Sequence, residues 1–167
     1  MTSHHKAQAT VYIYSDASFS KNFGIAVIGF ALFRTQDEHN TIHLQDIETT
    51  LFEIKETNNI RAEIRGALAA LEVCPMGKEV ILYTDCQTIV NLPSRRKKLV
   101  QKNFMSESKG CELANADLYR EFFALYDLKR PEIIWVKGHS SKRRTDIGKN
   151  FSHLDRLVRR KLRERTK

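Results

Sequence analysis

Four carboxylates occupy positions that packing alone would not favour: Asp16, Glu63, Asp85 and Asp155. Asp16 and Asp85 follow apolar, strand-like segments, whereas Glu63 and Asp155 lie beside the apolar faces of predicted helices. A carboxylate half sunk in an apolar face costs free energy unless a positive group pairs with it. Ligands gather at the carboxyl ends of strands in open α/β sheets. If the strands before Asp16 and Asp85 are parallel neighbours, we expect all four side chains at one edge of the sheet.

Each carboxylate taken alone also has an ordinary structural explanation. An aspartate after a strand is usually a turn residue or a helix cap. Glu63 has Arg61 and Arg65 nearby, and Asp155 is followed by several arginines, so both acids could form simple ion pairs on helix surfaces. The pattern of four, and not any single member, therefore indicates a site.

The elements that must position these acids follow an order of three strands, a helix, a strand, further helices, a strand and a last helix. The predicted strands are residues 10–14, 24–33, 42–54, 79–83 and 133–136, with turns at 15–18 and 38–40. Short polar turns between the first three predict an antiparallel meander. The nearly continuous apolar run 79–83 is typical of a strand buried on both faces, as in a parallel arrangement.

Helical spacing of apolar residues predicts the helices. Asn58 or Asn59 can cap the first, whose apolar face includes Ile60, Ile64, Leu68 and Leu71. The second starts near Gln87 and is interrupted by Pro93, the third starts at Ala116 after Asn115, and the last covers residues 150–163. This order predicts an α/β fold with a mixed sheet. We expect one domain, residues 10–167, behind a flexible tail of residues 1–9.

Composition narrows the function classes. The 28 Lys and Arg exceed the 20 Asp and Glu, and the net charge of +8 favours polyanions such as nucleic acid or acidic membrane surfaces. Three cysteines without C-x-x-C spacing argue against a disulfide framework and a zinc knuckle, and suit a reducing cytoplasm. We expect no membrane association, because no apolar run approaches the length of a membrane span and residues 1–8 carry no signal-peptide pattern.

Six sequence elements together resemble a known family: YSDAS, TNNIRAEIRGALAALE, LYTDC, NADLYREF, VKGHS and FSHLDRLVRR. They are similar, in the same order, to the motifs of type 1 ribonuclease H, over about Val11 to Leu162. The resemblance implies a ribonuclease H-like fold, with three antiparallel strands then two parallel ones in a sheet flanked by helices. It also implies an endoribonuclease that hydrolyses the RNA strand of RNA–DNA hybrids with two divalent cations, Mg²⁺ or Mn²⁺. By match, Asp16, Glu63, Asp85 and Asp155 are the catalytic metal ligands.

Elementary chemistry agrees with this assignment. Two Mg²⁺ ions about 4 Å apart can clamp both the attacking and the leaving oxygen of a phosphoryl displacement. Mg²⁺ prefers a few carboxylates, with water and substrate phosphate completing its coordination. Four acids repel one another until a cation arrives, so we expect metal binding and substrate binding to be coupled.

The resemblance also implies roles outside the acidic set. His139 is similar to a mobile histidine that helps to protonate or release the product; otherwise it is a loop histidine without a role. Asn58 and Asn59 are similar to a polar pair that reads the minor groove and the RNA 2′-hydroxyls. Further candidates for phosphate contact are Lys55, Thr88, Asn91 and the basic run Arg95, Arg96, Lys97 and Lys98, which is either a substrate-binding handle or an ordinary solvated helix.

Several departures from the family pattern leave alternatives open. The additional Ile60 leaves the register of the asparagine pair undecided, and the handle region is short and lacks tryptophan. Asp146 competes with Asp155 as the fourth ligand, although the amphipathic helix favours Asp155. The alternative functions are a nuclease of the same superfamily that acts on DNA, and a non-catalytic nucleic-acid-binding protein. We expect a monomer.

Overall fold

The structure is a computed structural model of the chain and describes residues 10–35, 43, 47–137 and 145–167. Within these residues the chain forms five strands and four helices. In chain order they are β1 (Thr10–Ser20), β2 (Ile25–Thr35), β3 (Thr49–Lys55), α1 (Asn59–Val73), β4 (Val80–Thr84), α2 (Gln87–Gln101), α3 (Ala116–Lys129), β5 (Glu132–Trp135) and α4 (Asp146–Arg165). The predicted order of elements is confirmed.

The five strands form one mixed sheet in the order β3-β2-β1-β4-β5. β1 is antiparallel to β2, and β2 is antiparallel to β3. β4 is parallel to β1 and to β5, so the two parallel strands follow the three-stranded meander as expected. The fold class predicted from the sequence is therefore confirmed.

The end of β1 differs from the prediction, which placed a turn at residues 15–18. β1 continues to Ser20, because β2 pairs with it over its whole length and Asp16 lies opposite Gly29. The parallel pairing of β1 with β4 stops at Tyr14, opposite Tyr83. Asp16 thus lies inside a strand, but two residues beyond the last residue of β1 that pairs with β4.

The helices cover opposite faces of the sheet. Side chains of α1, α2 and α3 pack with Ile13 and Leu82 in one buried cluster, whereas α4 packs with Tyr14 and Tyr83 in another. This division follows from the alternation of side chains along a strand. Gly29 allows α4 to lie directly on the sheet, because a Cβ atom there would come within 2.5 Å of Val158 Cγ2.

The predicted interruption of the second helix at Pro93 is wrong, since α2 runs through it without a break. A proline inside a helix costs about 3 kcal/mol through its missing N–H and its ring. Leu92 and Leu99 lie on either side of Pro93 and are both buried in the core, which offsets that cost. The Ser94 hydroxyl donates to the Asn91 carbonyl at 2.9 Å.

The predicted starts of α1, α2 and α3 agree with the structure, whereas the start of α4 differs. Asn58 caps α1, as its Oδ1 accepts from the Arg61 N–H at 3.0 Å. Asn115 precedes α3 but makes no side-chain cap; its amide donates to the Tyr119 hydroxyl at 3.3 Å. α4 begins four residues before the predicted start, because Thr145 Oγ1 accepts from the Gly148 N–H at 3.1 Å and caps it.

Some predictions fall outside the described residues: the tail 1–9, the turn 38–40 and the loop that contains His139. The third strand was predicted from residue 42, and the described strand begins at Thr49. Among the described residues, no helix combines the length and apolar character needed to cross a membrane.

Candidate active site

Three of the four predicted acids meet at one edge of the sheet. Asp16, Glu63 and Asp85 each offer a carboxylate oxygen, and these three oxygens lie within 4.8 Å of one another. Asp85 directly follows β4, and Asp16 lies beyond the last pair between β1 and β4. The parallel pairing of β1 with β4 therefore produces the meeting that the sequence predicted for Asp16 and Asp85.

Glu63 reaches the same place from α1, one turn into the helix. Gly66, three residues later, faces the sheet: a Cβ atom there would lie 2.7 Å from Ile28 Cγ2 and 3.0 Å from Ser15 Oγ. A larger side chain at Gly66 would push α1 away from β1. The glycine therefore sets the distance between Glu63 and Asp16.

The carboxylates of Asp16, Glu63 and Asp85 repel one another. Burial raises the pKa of Glu63 well above its ordinary value, and the neighbouring charges of Asp16 and Asp85 raise it further. The Asn59 amide, which donates to Glu63 Oε1 at 3.3 Å, only partly opposes this. Glu63 Oε2 is buried and accepts no hydrogen bond from the described residues. A cation between the carboxylates would remove the repulsion and satisfy that oxygen.

Asp155 lies on the far wall of the same site. It lines an open cleft of about 380 Å³ together with Asp16, Glu63, Asp85 and Arg159. Its carboxylate does not belong to the close set of three; instead it accepts from Arg159 Nε at 2.7 Å. The structure thus brings the fourth predicted acid to the cleft, held by an arginine that is 53% exposed.

Asp146, the competing fourth acid, lies elsewhere. It occupies the first turn of α4, not a loop, and pairs with Lys149 at 3.1 Å. Nine residues of helix, about 14 Å, separate it from Asp155. It does not line the cleft among the described residues. The geometry therefore favours Asp155 over Asp146.

Asn58 and Asn59 make different contacts. Asn58 uses Oδ1 to cap α1, whereas Asn59 lines the cleft and holds Glu63. Ile60 also lines the cleft and is 44% exposed, although it was predicted on the apolar face of α1. The helix therefore turns Asn59 and Ile60 toward the cleft and leaves Asn58 to fix its start.

Cys86 is the remaining side chain of chemical interest in the cleft. Burial raises the pKa of its thiol to about 11, so it is protonated near neutral pH. A protonated thiol is a poor nucleophile. The cleft therefore offers carboxylates, and no activated thiol from Cys86.

The other predicted substrate contacts lie outside the cleft. Lys55 is exposed at the end of β3, and Thr88 and Asn91 lie in the first turns of α2. Of the basic run, Arg95, Lys97 and Lys98 are exposed. Arg96 is instead held against α3: its guanidinium contacts Asp127 at 2.7 Å and lies 5.1 Å above the Phe123 ring centre. His139 lies outside the described residues, so its position stays a prediction.

One network near the site was missed by the sequence reasoning, which considered Arg61 as a partner of Glu63. Arg61 Nε contacts Glu56 at 2.8 Å, and its NH2 group contacts Asp117 at 2.8 Å. Arg65 contacts the second Glu56 oxygen at 3.0 Å. The one local signal was Glu56 itself, an acid immediately before the polar start of a helix that contains two arginines.

Comparison with known proteins agrees with this geometry. The family model described as RNase H matches residues 8–163. Ribonuclease H of Legionella pneumophila (strain Corby) is 30% identical over 137 residues, covering 82% of this chain and 90% of the relative. Ribonuclease H of Actinobacillus succinogenes is 30% identical over 140 residues, covering 82% of this chain and 83% of the relative.

Solved structures show the same fold. A crystal structure of a type 1 RNase H with the type 2 active-site motif superposes with a TM-score of 0.64 at 20% identity, covering 90% of this chain and 71% of the other. A foamy viral protease-reverse transcriptase in complex with dsDNA gives 0.62 at 16% identity, covering 95% of this chain and 96% of the other. With the family model matching nearly the whole chain, the protein belongs to the RNase H family.

Proposed function

We propose that the chain is an endoribonuclease that hydrolyses the RNA strand of RNA–DNA hybrids with divalent cations bound in the acidic cleft. Membership of the RNase H family and the relatives named ribonuclease H support this activity. The observation that carries the proposal is the meeting of three carboxylates from three separate elements within 4.8 Å. Such a cluster has a high free energy without a cation and is suited to binding one.

The residues present fit a hard cation such as Mg²⁺, which takes oxygen ligands. Asp16, Glu63 and Asp85 would hold it, and Asp155 would extend the ligand set across the cleft. When bound, divalent cations activate the attacking water and stabilise the leaving oxygen. The buried Glu63 Oε2, which accepts no hydrogen bond from the described residues, is the specific feature that a cation would satisfy.

The protein's own side chains would orient the substrate around this centre. Asn59 fixes Glu63 through its amide and lies exposed in the cleft wall, where it can meet the 2′-hydroxyls that distinguish RNA. Of the other predicted contacts, the Asn58 amide, which donates to Thr57 Oγ1 at 3.4 Å, would contact the minor groove, and His139 would assist product release. Phosphate contacts are proposed for Lys55, Thr88, Asn91, Arg95, Arg96, Lys97 and Lys98.

The described site needs only one copy of the chain, because all four cleft carboxylates come from the same molecule. We therefore propose a monomer. The free cysteines, Cys74, Cys86 and Cys111, suit a cytoplasmic environment, where thiols remain reduced.

The test is a cleavage assay with four labelled substrates: an RNA–DNA hybrid, duplex DNA, duplex RNA and single-stranded RNA. We expect cleavage of the RNA strand of the hybrid alone, in the presence of Mg²⁺ or Mn²⁺ and not with EDTA. The matched control is Asp85→Asn, which removes one cleft charge and should be inactive. Cleavage of duplex DNA would favour the DNA-acting alternative, and metal-independent binding without cleavage would favour the non-catalytic one.

A further inference from the structure

The second half of α4 carries most of the protein's excess positive charge. Residues 156–167 contain seven basic residues and one acidic residue, a net charge of +6 against +8 for the whole chain. All seven of these basic side chains are exposed. The basic character of the protein is therefore concentrated on one helix and its end.

The charges form a stripe with a defined direction. α4 packs on the sheet through four buried residues: Phe151, Leu154, Val158 and Leu162. At 3.6 residues per turn, Arg156, Arg160 and Arg163 follow one another along the opposite, solvent-facing side of the helix. We call these three residues the α4 stripe. It spans eight residues of helix, and its first and last residues are about 10 Å apart along the axis.

Ion pairs among the described residues do not account for the α4 stripe. Of the basic residues in this half of the helix, Arg159 pairs with Asp155 and Arg165 pairs with Glu53. The part of the chain that the structure describes places no carboxylate within 4.0 Å of the three stripe residues. Like charges at i and i+4, as in Arg156 and Arg160, cost about 0.2–0.5 kcal/mol.

The helix dipole explains only the end of the run. Positive side chains are favourable in the last turn of a helix, because they face the partial negative charge of the free carbonyl groups. Arg163 and Arg165 lie in that turn, whereas Arg156 and Arg160 lie one to two turns before it. The helix dipole therefore does not account for Arg156 and Arg160.

The α4 stripe adjoins the acidic cleft on the side opposite to the basic run of α2. Arg159, next to the stripe, lines the cleft with Asp155. α4 lies on one face of the sheet, and α2 lies on the other. From the cleft, α4 continues across the sheet to β3, where Arg165 meets Glu53. Exposed basic side chains therefore lie on both faces of the sheet.

We propose that the α4 stripe binds the phosphate backbone of the nucleic acid beyond the cleft, as a second contact surface in addition to the α2 run. This inference rests on the proposed function for its choice of substrate, an RNA–DNA hybrid. Arginine suits this contact, because its planar guanidinium donates in pairs to phosphate oxygens. The 10 Å length matters because a nucleic acid duplex carries about one charge per 1.7 Å of axis, so several phosphates lie within reach.

The test compares two triple variants that remove the same charge. The first is Arg156→Gln, Arg160→Gln and Arg163→Gln. The control is Arg34→Gln, Lys78→Gln and Arg130→Gln, whose residues lie at the opposite end of the sheet from the cleft. Binding of a labelled RNA–DNA hybrid is measured by fluorescence anisotropy at increasing KCl concentration in EDTA, so that no cleavage occurs.

Each lost phosphate contact should reduce the slope of log affinity against log salt by about 0.9. We expect the stripe variant to lose about 2 to 3 units of slope relative to the control, and about tenfold or more in affinity at low salt. Replacing the same three arginines by lysine should keep most of the slope. Equal slopes in the stripe variant and the control would overturn the proposal. So would a stripe variant that loses binding to anionic lipid vesicles while its binding to the hybrid is unchanged.

Failure of this inference and failure of the proposed function give different results. If wild-type protein does not cleave the hybrid with Mg²⁺, the proposed function is wrong, whatever the salt slopes are. If wild-type protein cleaves the hybrid and the two triple variants bind it alike, only the inference is wrong. A selective loss of slope supports the α4 stripe in either case, because binding is measured without metal.

Discussion

Two buried glutamates, seven residues apart at the start of α1, have opposite electrostatic environments. Glu56 and Glu63 are 9% and 6% exposed. Burial raises the pKa of Glu56, but the Thr57 N–H and the guanidinium groups of Arg61 and Arg65 outweigh it and leave the pKa below its ordinary value. Burial and two neighbouring carboxylates raise that of Glu63.

The comparison teaches that burial alone does not identify a functional acid, whereas the sign of the neighbouring charges does. Glu56 is a compensated charge within a network that extends to Asp117, whose own pKa Arg61 lowers to about 2. Glu63 lies on the wall of a cleft, where burial and two neighbouring carboxylates outweigh its hydrogen bond from Asn59, and groups perturbed in this way cluster at functional sites. The arrangement around Glu56 stabilises the fold, whereas the arrangement around Glu63 is suited to binding a cation.

The largest difference should appear in catalysis. Asp85→Asn should reduce hybrid cleavage with Mg²⁺ by well over a hundredfold, since even residues that only support a metal ligand cost 10- to 100-fold when changed. Binding of the hybrid in EDTA should remain. Glu56→Gln is the matched control, because it neutralises the other kind of buried acid and should leave the activity of the folded fraction unchanged. Single-turnover cleavage measures both; full activity in Asp85→Asn would refute the metal assignment.

The reverse difference should appear in stability. Arg61→Met should destabilise the fold by about 3–5 kcal/mol, because it leaves Glu56 buried with less compensation. Urea denaturation measures this change. Adding Glu56→Gln to Arg61→Met should restore part of the loss, since the stranded charge is then removed. If the double variant is no more stable than Arg61→Met, packing and not charge is the contribution of Arg61.

A third prediction concerns Glu63 itself in the metal-free protein. Because its pKa is higher in the folded state than in the unfolded state, this group favours folding at low pH, and that contribution is lost as the pH rises through the folded-state pKa. Glu63→Gln should therefore raise the melting temperature of metal-free protein at neutral pH, because glutamine carries no charge that burial and the neighbouring carboxylates disfavour. It should also abolish cleavage.

The pH profile separates the two glutamates. The folded-state pKa of Glu56 is lowered, so its stabilising contribution is present above the unfolded-state value and is lost as the pH falls through the folded-state pKa. Glu56→Gln should thus reduce the acid-side loss of stability, whereas Glu63→Gln should reduce the loss on raising the pH. Thermal denaturation in EDTA across this range measures both. Identical profiles would mean that the two environments do not differ as the structure indicates.

The sequence predicted the strands of the sheet because these depend on local patterns, and three of the four acids expected at its edge lie within 4.8 Å of one another. The apolar run of β4 and the polar residue after it indicated a buried parallel strand with Asp85 at its end. The end of β1 could not be predicted in the same way, because pairing with β2 carries that strand past Asp16. Pro93 was misleading for a similar reason: core packing of α2 outweighs the local preference of proline.

The partners of the arginines were beyond local patterns as well. Arg61 contacts Asp117, which is 56 residues away in the chain, and α3 must be in place before that contact exists. Closeness in the sequence suggested Arg61 or Arg65 as a partner of Glu63, but side chains two residues apart do not face each other on a helix, and both arginines contact Glu56 instead. Asp155 followed the local rule, since its partner Arg159 is four residues away on the same helix.

The pair of Asp155 and Arg159 gives the smallest predicted effect on stability. It is an exposed counterpart of the buried pair of Glu56 and Arg61. Asp155 and Arg159 have side chains that are 20% and 53% exposed, and exposed pairs contribute about 0–1 kcal/mol. Arg159→Gln should therefore change the free energy of unfolding by less than about 1 kcal/mol, unlike Arg61→Met.

Arg159→Gln should also release Asp155, so that less Mg²⁺ is needed to raise the melting temperature. Arg156→Gln is the matched control, since it removes the same charge one turn away without breaking the pair. If both variants shift the Mg²⁺ dependence of the melting temperature equally, the lost positive charge is responsible and not the release of Asp155. Asp155 would then not be a metal ligand whose binding Arg159 opposes.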